Sequence, residues 1–314
     1  MLSDSAIGVG LALASLTMFS VNVILTRMAM SRLRLDVGFL VAVTVNVLFG
    51  LLLFAIGLII RAAPPRWDAH AFWLFALSGV FTTYLGRWFF FETVARLGPA
   101  KASVFQISSP MFTALIAWVV LGERLSFAIV AAMIAVMTGL YFASVSPLRG
   151  VAQASGPRGH PHGGSRLRTL FHAGMLLGLG SSLAYAVGNV VRGAAIHRWQ
   201  EPVLGALLGA ASGLLLHVTF SRATRDIVAS LRGADRRGIL LYVVCGVLTI
   251  SAQMLTIASM ALIPVSIAAL ITLCTPIIVI PLSRSVFGTE EPITARLLFG
   301  SAFALAGIAV IVLR

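Results

Sequence analysis

The chain is 314 residues long, 59% hydrophobic and 11% charged, with a mean hydropathy of +1.00. So little charge does not cover the surface of a soluble protein of this size, which excludes a water-soluble enzyme or binding domain. The net charge of +13 does not argue for nucleic acid, because the basic residues fall in short segments between apolar runs, where they orient a chain in a bilayer.

Apolar runs near twenty residues long, the length a helix needs to cross a membrane, predict about ten spans. They lie near 6–26, 37–60, 70–94, 101–121, 126–145, 171–192, 202–220, 237–260, 263–286 and 294–313. The N-terminus MLSDSAIG has no basic region ahead of the first apolar run, so that run reads as a retained span rather than a cleaved signal. The first span carries Ser15 and Asn22. An asparagine in hydrocarbon is costly without a hydrogen bond, so Asn22 is expected to face protein or water.

On the third span Phe81, Tyr84, Trp88 and Phe91 follow helical spacing, with Arg87 and Glu92 on the same helix. Two readings stand. An aromatic wall beside a cation suits an organic substrate with an anionic group; aromatics packing on lipid or neighbouring helices is the commoner arrangement. Arg87 either lines a cavity or snorkels to the interface. Glu92 with Arg96 at i+4 reads as a surface ion pair.

The fourth span holds Gln106 and Pro110, and the fifth the small residues Ala131, Ala135 and Gly139. Residues 146–170 are rich in Gly, Pro and Ser and read as a flexible linker; its His160 and His162 make a weak metal pattern, and no metal is expected. On the sixth span Ser182, Tyr185, Asn189 and Arg192 share a face. The seventh carries Gly205, Gly209 and Gly213, a spacing that lets helix backbones approach, for internal packing or for a dimer. The eighth carries Thr249, Gln253 and Thr256, and the ninth Pro276 and Pro281. Pro110, Pro276 and Pro281 are expected to kink their helices. Cys245 and Cys274, both inside spans, read as packing residues. Trp67, Trp73 and Trp199 lie near span ends, where interfacial aromatics sit.

The second half repeats the first. At an offset of 167, Ser15, Leu16, Asn22 and Val23 recur as Ser182, Leu183, Asn189 and Val190, and Gly79-Val80 and Thr82 as Gly246-Val247 and Thr249. At 166, Ser109-Pro110 lies on Thr275-Pro276 and Gly122 on Gly288. The fold expected is therefore an all-α integral membrane protein of two five-helix repeats, 1–145 and 171–314, joined by the linker 146–170. Repeats with an odd number of spans must be inverted relative to one another, as in many secondary transporters. Asn22 and Asn189 are then symmetry mates, either contacting substrate or hydrogen-bonding the halves together.

Residues 86–126, GRWFFFETVARLGPAKASVFQISSPMFTALIAWVVLGERLS, resemble the third and fourth helices of the drug/metabolite transporter superfamily, and within it the ten-helix EamA-type permeases. The resemblance rests on LGPAKAS at 97–103, Pro110 and GER at 122–124. ALIPVSIAAL at 261–270, CTP at 274–276 and GTEE at 288–291 echo it in the second half. It implies a central cavity between inverted repeats and alternating access without ATP. Glu123 matches the family's glutamate position; its mate here is Thr289. Smaller relatives use a glutamate in their first helix, whereas this chain has no acid between Asp4 and Asp36, so proton antiport by that route is not expected.

The functional expectation is an inner-membrane permease that exports a small organic metabolite, such as an amino acid or related anionic or aromatic compound. The candidate substrate-binding residues are Asn22, Tyr84, Arg87, Trp88, Gln106, Tyr185, Asn189 and Gln253. No cofactor is expected, and the partners are the substrate and the lipid bilayer, with monomer and homodimer both open. A channel and a membrane-embedded scaffold or enzyme are the alternatives. The sequence holds no HExxH, GxSxG or Walker loop to support an enzyme. Orientation is divided. The alternating loops hold six basic residues on the side of the termini and sixteen on the other, which puts both termini outside; the resemblance implies both inside.

Overall fold

The computed structural model describes residues 4–61, 66–97, 105–124, 126–145, 164–220, 233–287, 302–303 and 306. Among these residues every regular element is helical. The order is α1 (Asp4–Met30), α2 (Leu35–Arg61), α3 (Ala69–Gly79), a π-helical segment (Val80–Gly86), α4 (Arg87–Leu97), α5 (Ser109–Leu121) and α6 (Phe127–Val145). Then follow α7 (Gly164–Arg198), α8 (Pro202–Phe220), α9 (Arg236–Met260), α10 (Val265–Leu273) and α11 (Thr275–Phe287). Among the described residues five stretches are long and apolar enough to cross a membrane: Asp4–Met30, Val37–Arg61, Gly174–Arg198, Pro202–Phe220 and Arg236–Met260.

Hydrophobic residues lie inside and outside alike, as a lipid solvent permits. Phe75, Ile196, Ile250, Ile257, Met260 and Leu270 are fully buried, while Ile59, Ile60, Trp73 and Val119 are largely exposed. With lipid outside, area burial gives no driving force between helices; close packing and interhelical hydrogen bonds supply it. The glycine stripe of α8 shows how. A Cβ at Gly205 would meet the Phe75 ring at 2.5 Å, and one at Gly213 would meet Thr83 at 2.3 Å. A Cβ on Gly79, the residue of α3 that faces Gly209, would lie 2.2 Å from the Gly209 carbonyl. The stripe therefore serves packing inside the chain, between α8 and α3 with its π extension.

The main contacts between the two halves recur when the halves are exchanged. In the first half α1 packs on α9; in the second its mate α7 packs on α3, the π segment and α4. Likewise α2 on α9 is matched by α8 on α3, and α1 on α10 and α11 by α7 on α5. The segments expected as the fourth and ninth spans are both interrupted near their matched prolines. One break is the turn at Ile107-Ser108 ahead of Pro110, the other Cys274 ahead of Pro276. Pro281, by contrast, lies inside α11.

Two expectations change. The helix α7 starts at Gly164, inside the segment read as linker; the run SRLRTLFH lacks the Gly-Pro punctuation of the residues before it. Trp199 is 7% exposed and sits edge-on to Trp67, 5.7 Å between ring centres, so it closes a helix junction rather than facing the bilayer interface. Most of the tenth span, the linker histidines and the Arg96 side chain lie outside the described residues.

Ion pairs gather at the helix ends. Asp68 caps α3 by accepting from the Ala71 amide at 2.9 Å and pairs with Arg198 Nε at 2.7 Å. Glu201 accepts from Arg61 at 2.5 Å at the same end. At the opposite end Arg32 meets Asp235 at 2.8 Å. The Ala71 amide and then Arg198 hold the Asp68 carboxyl below its ordinary value of 3.8, and Arg32 does the same for Asp235. A depressed native value means these contacts stabilise fully above the ordinary value and fade as pH falls through the native one. The expected result is that Asp68→Asn lowers Tm at neutral pH and that the gap to wild type closes in strong acid, as read by thermal melts across pH.

Candidate functional site

Five helical segments bring polar side chains to the buried centre. The first contributor is α7, whose face Ser181, Ser182, Tyr185, Asn189 and Arg192 turns inward. Gly188 sits in this face and lets α7 approach the π segment: a Cβ there would lie 2.4 Å from the Thr82 methyl. Arg192, 5% exposed, reaches across this contact and donates from Nη2 to Thr82 Oγ1 at 3.1 Å and to Gln253 Oε1 on α9 at 3.5 Å. Thr82 passes its own proton to the Ser78 carbonyl at 2.8 Å, so its oxygen is left to accept from the arginine. One turn along α9, the Thr256 hydroxyl lies 2.7 Å from Ser15 of α1, and Ser15 also donates to the Ala252 carbonyl at 2.8 Å.

The π segment explains part of this geometry. Its i→i+5 bonding widens the turn, and such segments are frequent at functional sites. The Gly86 carbonyl at its end accepts from Ser181 Oγ at 2.7 Å, and Ser181 in turn accepts from Gln106 Nε2 at 2.6 Å. The matched stretch of the second half lies within the unbroken α-helix α9. The two halves are thus alike in packing and unlike at the centre.

Two atoms in this region stay unsatisfied. Arg192 Nε and Asn22 Oδ1 are buried with no hydrogen-bond partner. Buried polar atoms left in that state are rare and expensive, and they point to water or a ligand.

The residues expected from sequence fall into three groups. Gln106, Tyr185 and Gln253 belong to the central layer, with the Tyr185 ring 3.1 Å from where a Gly86 Cβ would stand. Asn22 and Asn189 are half-buried on α1 and α7. Tyr84 and Arg87 build a separate cluster towards α2 and α8: Tyr84 lies 5.1 Å from the His217 ring, and the Arg87 guanidinium sits 4.5 Å above Phe39. Trp88 is 49% exposed and stacks on Phe89, apart from the Tyr84–His217 contact. Helical spacing of 3.6 assigns the aromatic stripe to one face, and the π segment breaks the spacing between Tyr84 and Trp88. Sequence spacing missed Thr82, Ser181 and the weight of Arg192. The signal for Arg192 was its repeat mate, Leu25: a cation present in only one copy is not part of the shared scaffold.

The glutamate of GER also finds its place. Gly122 takes φ +68 and ends α5 in the left-handed region, which turns Glu123 towards the other half. There Glu123 accepts from the Val265 amide at 2.6 Å and the Ser266 hydroxyl at 2.7 Å, capping α10, whose own cap residue Pro264 offers no side-chain bond. The carboxylate meets the positive helix end. Glu123→Ala is expected to cost about 1–2 kcal/mol of stability, and Glu123→Gln less, as read by thermal melts in detergent.

A helical membrane protein made of two like halves, closing on a buried polar layer to which both contribute, has the build of a small-molecule transporter. The sequence matches the EamA-like transporter family over residues 6–145 and 172–313, and the protein belongs to that family. A solved crystal structure superposes with a TM-score of 0.71 at 17% identity, over 99% of this chain and 98% of the other, which shows a shared fold. No curated protein sequence matches it.

Proposed function

We propose that this transporter is a secondary carrier that exports small organic metabolites across the cell inner membrane by alternating access between two inverted five-helix repeats. The observation that carries the reading is the junction at Arg192: one side chain of the second half is bonded to Thr82 of the first and Gln253 of the second. Rocking the halves must break or remake that junction, so substrate bound there couples to the motion. The proposed substrate-contacting set is Asn22, Gln106, Tyr185, Asn189 and Gln253, joined by Thr82, with Tyr84 and Arg87 lining the approach.

Extracellular metabolite profiling tests this. Cells expressing the wild type should accumulate a metabolite outside that cells expressing Asn22→Ala/Asn189→Ala accumulate several-fold less, at equal expression. Equal accumulation in both would reject the asparagines as contacts. Counterflow in proteoliposomes separates carrier from channel, since only a carrier is stimulated by substrate on the far side.

The charge bias supports both termini outside. Alkaline phosphatase fused after Arg314 should be active in intact cells; an inactive fusion beside a fluorescent cytoplasmic one would reverse the orientation.

A further inference from the structure

We infer that Arg192 is the recognition point for a carboxylate, and that the carried metabolites are therefore organic anions. The inference rests on the carrier reading above and names the chemistry of its site.

The argument begins from cost. An arginine inside a membrane span is tolerated when it reaches the interface, pairs with an acid, or faces a polar cavity. Arg192 does not reach the interface: it is 5% exposed, and Arg198, six residues on, already marks the helix end by pairing with Asp68. Nor does it pair with an acid. Among the described residues its hydrogen bonds go to Thr82 and Gln253 and to no carboxylate; Asp68, Glu201 and Asp235 are each taken by another arginine at a helix end, and Glu123 caps α10. What surrounds Arg192 is neutral: a threonine hydroxyl and a glutamine carbonyl, both on Nη2. A guanidinium has five donors in a planar fork. Two acceptors on one nitrogen hold its orientation, and the buried Nε remains without a partner. A carboxylate supplies both what is missing in charge and what is missing in hydrogen bonds, through two parallel N–H···O contacts.

Asymmetry between the halves agrees. The mate of Arg192 is Leu25 on α1, so the cation is confined to one copy, as is the π segment that presents Thr82. A structural tether required by the fold would be expected in both.

The test is binding to purified protein in detergent, followed by thermal shift. The probes are acetate, succinate, benzoate and phenylacetate, each beside its neutral amide. The wild type should be stabilised by at least one carboxylate and not by its amide. Arg192→Gln should lose that response, with affinity weakened about tenfold or more, the loss expected for a charge-assisted bidentate contact. Its own Tm without ligand should stay level or rise, because an unpaired buried charge has been removed; a merely structural arginine would instead lower it. Arg192→Lys, which keeps the charge and loses the fork, should bind the same carboxylate more weakly than wild type, and decides the matter if the glutamine variant fails to fold. The inference is overturned if no carboxylate stabilises the wild type, if amides do so equally, or if both variants respond as wild type does. Counterflow is read separately on the same preparation: carrier exchange of a neutral compound alone would keep the transporter reading and discard this one, whereas carboxylate binding without any exchange would do the reverse.

Discussion

Gly79→Val is expected to leave little folded protein in the membrane, and Gly79→Ala to lower Tm sharply, while Gly57→Ala does neither. The difference lies in what a new Cβ meets. At Gly79 it would stand 2.2 Å from the Gly209 carbonyl, 2.3 Å from Ser212 Oγ and 2.5 Å from the Gly209 Cα. Two of those three atoms are backbone and cannot rotate away, so α3 and α8 would have to separate. Their separation would also break the Ser212 hydroxyl bond to the Ala76 carbonyl, 2.9 Å long. At Gly57 nothing lies within 4 Å. Overpacking of this kind costs about 1–3 kcal/mol for a methyl and more for a branched side chain. The α3–α8 contact also positions the π segment, since Gly213 of α8 packs on Thr83. Transport should therefore fall even for whatever Gly79→Ala protein folds. Fluorescence-detected gel filtration after heating, run on all three variants, measures the first effect. A Gly79→Ala protein as heat-stable as wild type would contradict the observed approach of the two helices.

Five of the expected spans were legible in the sequence because hydrocarbon length and hydropathy fix them, and the pairing of halves because Ser15, Asn22, Gly79 and Pro110 have mates. The glycine face of α8 was legible as a close contact; its partner was not, since spacing names a face and not what lies against it. The site was only partly legible. Tyr185 and Gln253 lie on stripes that 3.6 spacing draws and Gln106 was a lone polar residue of its span; Gln106 bonds Ser181 and Gln253 bonds Arg192. Tyr84 and Trp88 part for a local reason: seven residues from Val80 to Gly86 wind as a π-helix, and no pattern in VFTTYLG announces it. Arg192 was visible as a member of a polar stripe. That its bonds go to Thr82 and Gln253 and to no acid, while Asp68, Glu201 and Asp235 pair with other arginines, is a matter of three dimensions.

Straightening the two broken spans is expected to slow transport while sparing stability. The break in the fourth span is a single turn: the Ser108 amide donates to Phe105 at 3.1 Å, and the helix restarts at Ser109 with Pro110 in its first turn. The break in the ninth is the same turn again, the Cys274 amide donating to Ile271 at 3.0 Å before Thr275-Pro276. Proline is accepted there because a first-turn amide has no helical partner to lose. Alanine at 110 and 276 restores an amide that is able to bond one turn back and removes the ring that opposes a continuous helix. Two regained bonds at about 1 kcal/mol each favour the straight form by about 2 kcal/mol, enough to slow a step that needs the bend about thirtyfold. Pro110→Ala/Pro276→Ala should thus fold with an unchanged or higher Tm and exchange substrate far more slowly than wild type in counterflow. Each single variant should fall between. Pro281→Ala separates this from a general effect of proline, because Pro281 lies within the continuous α11 rather than at a break, and its removal should leave the exchange rate closer to wild type. Wild-type exchange by the double variant would mean that the breaks serve packing, and that the halves move about some other joint.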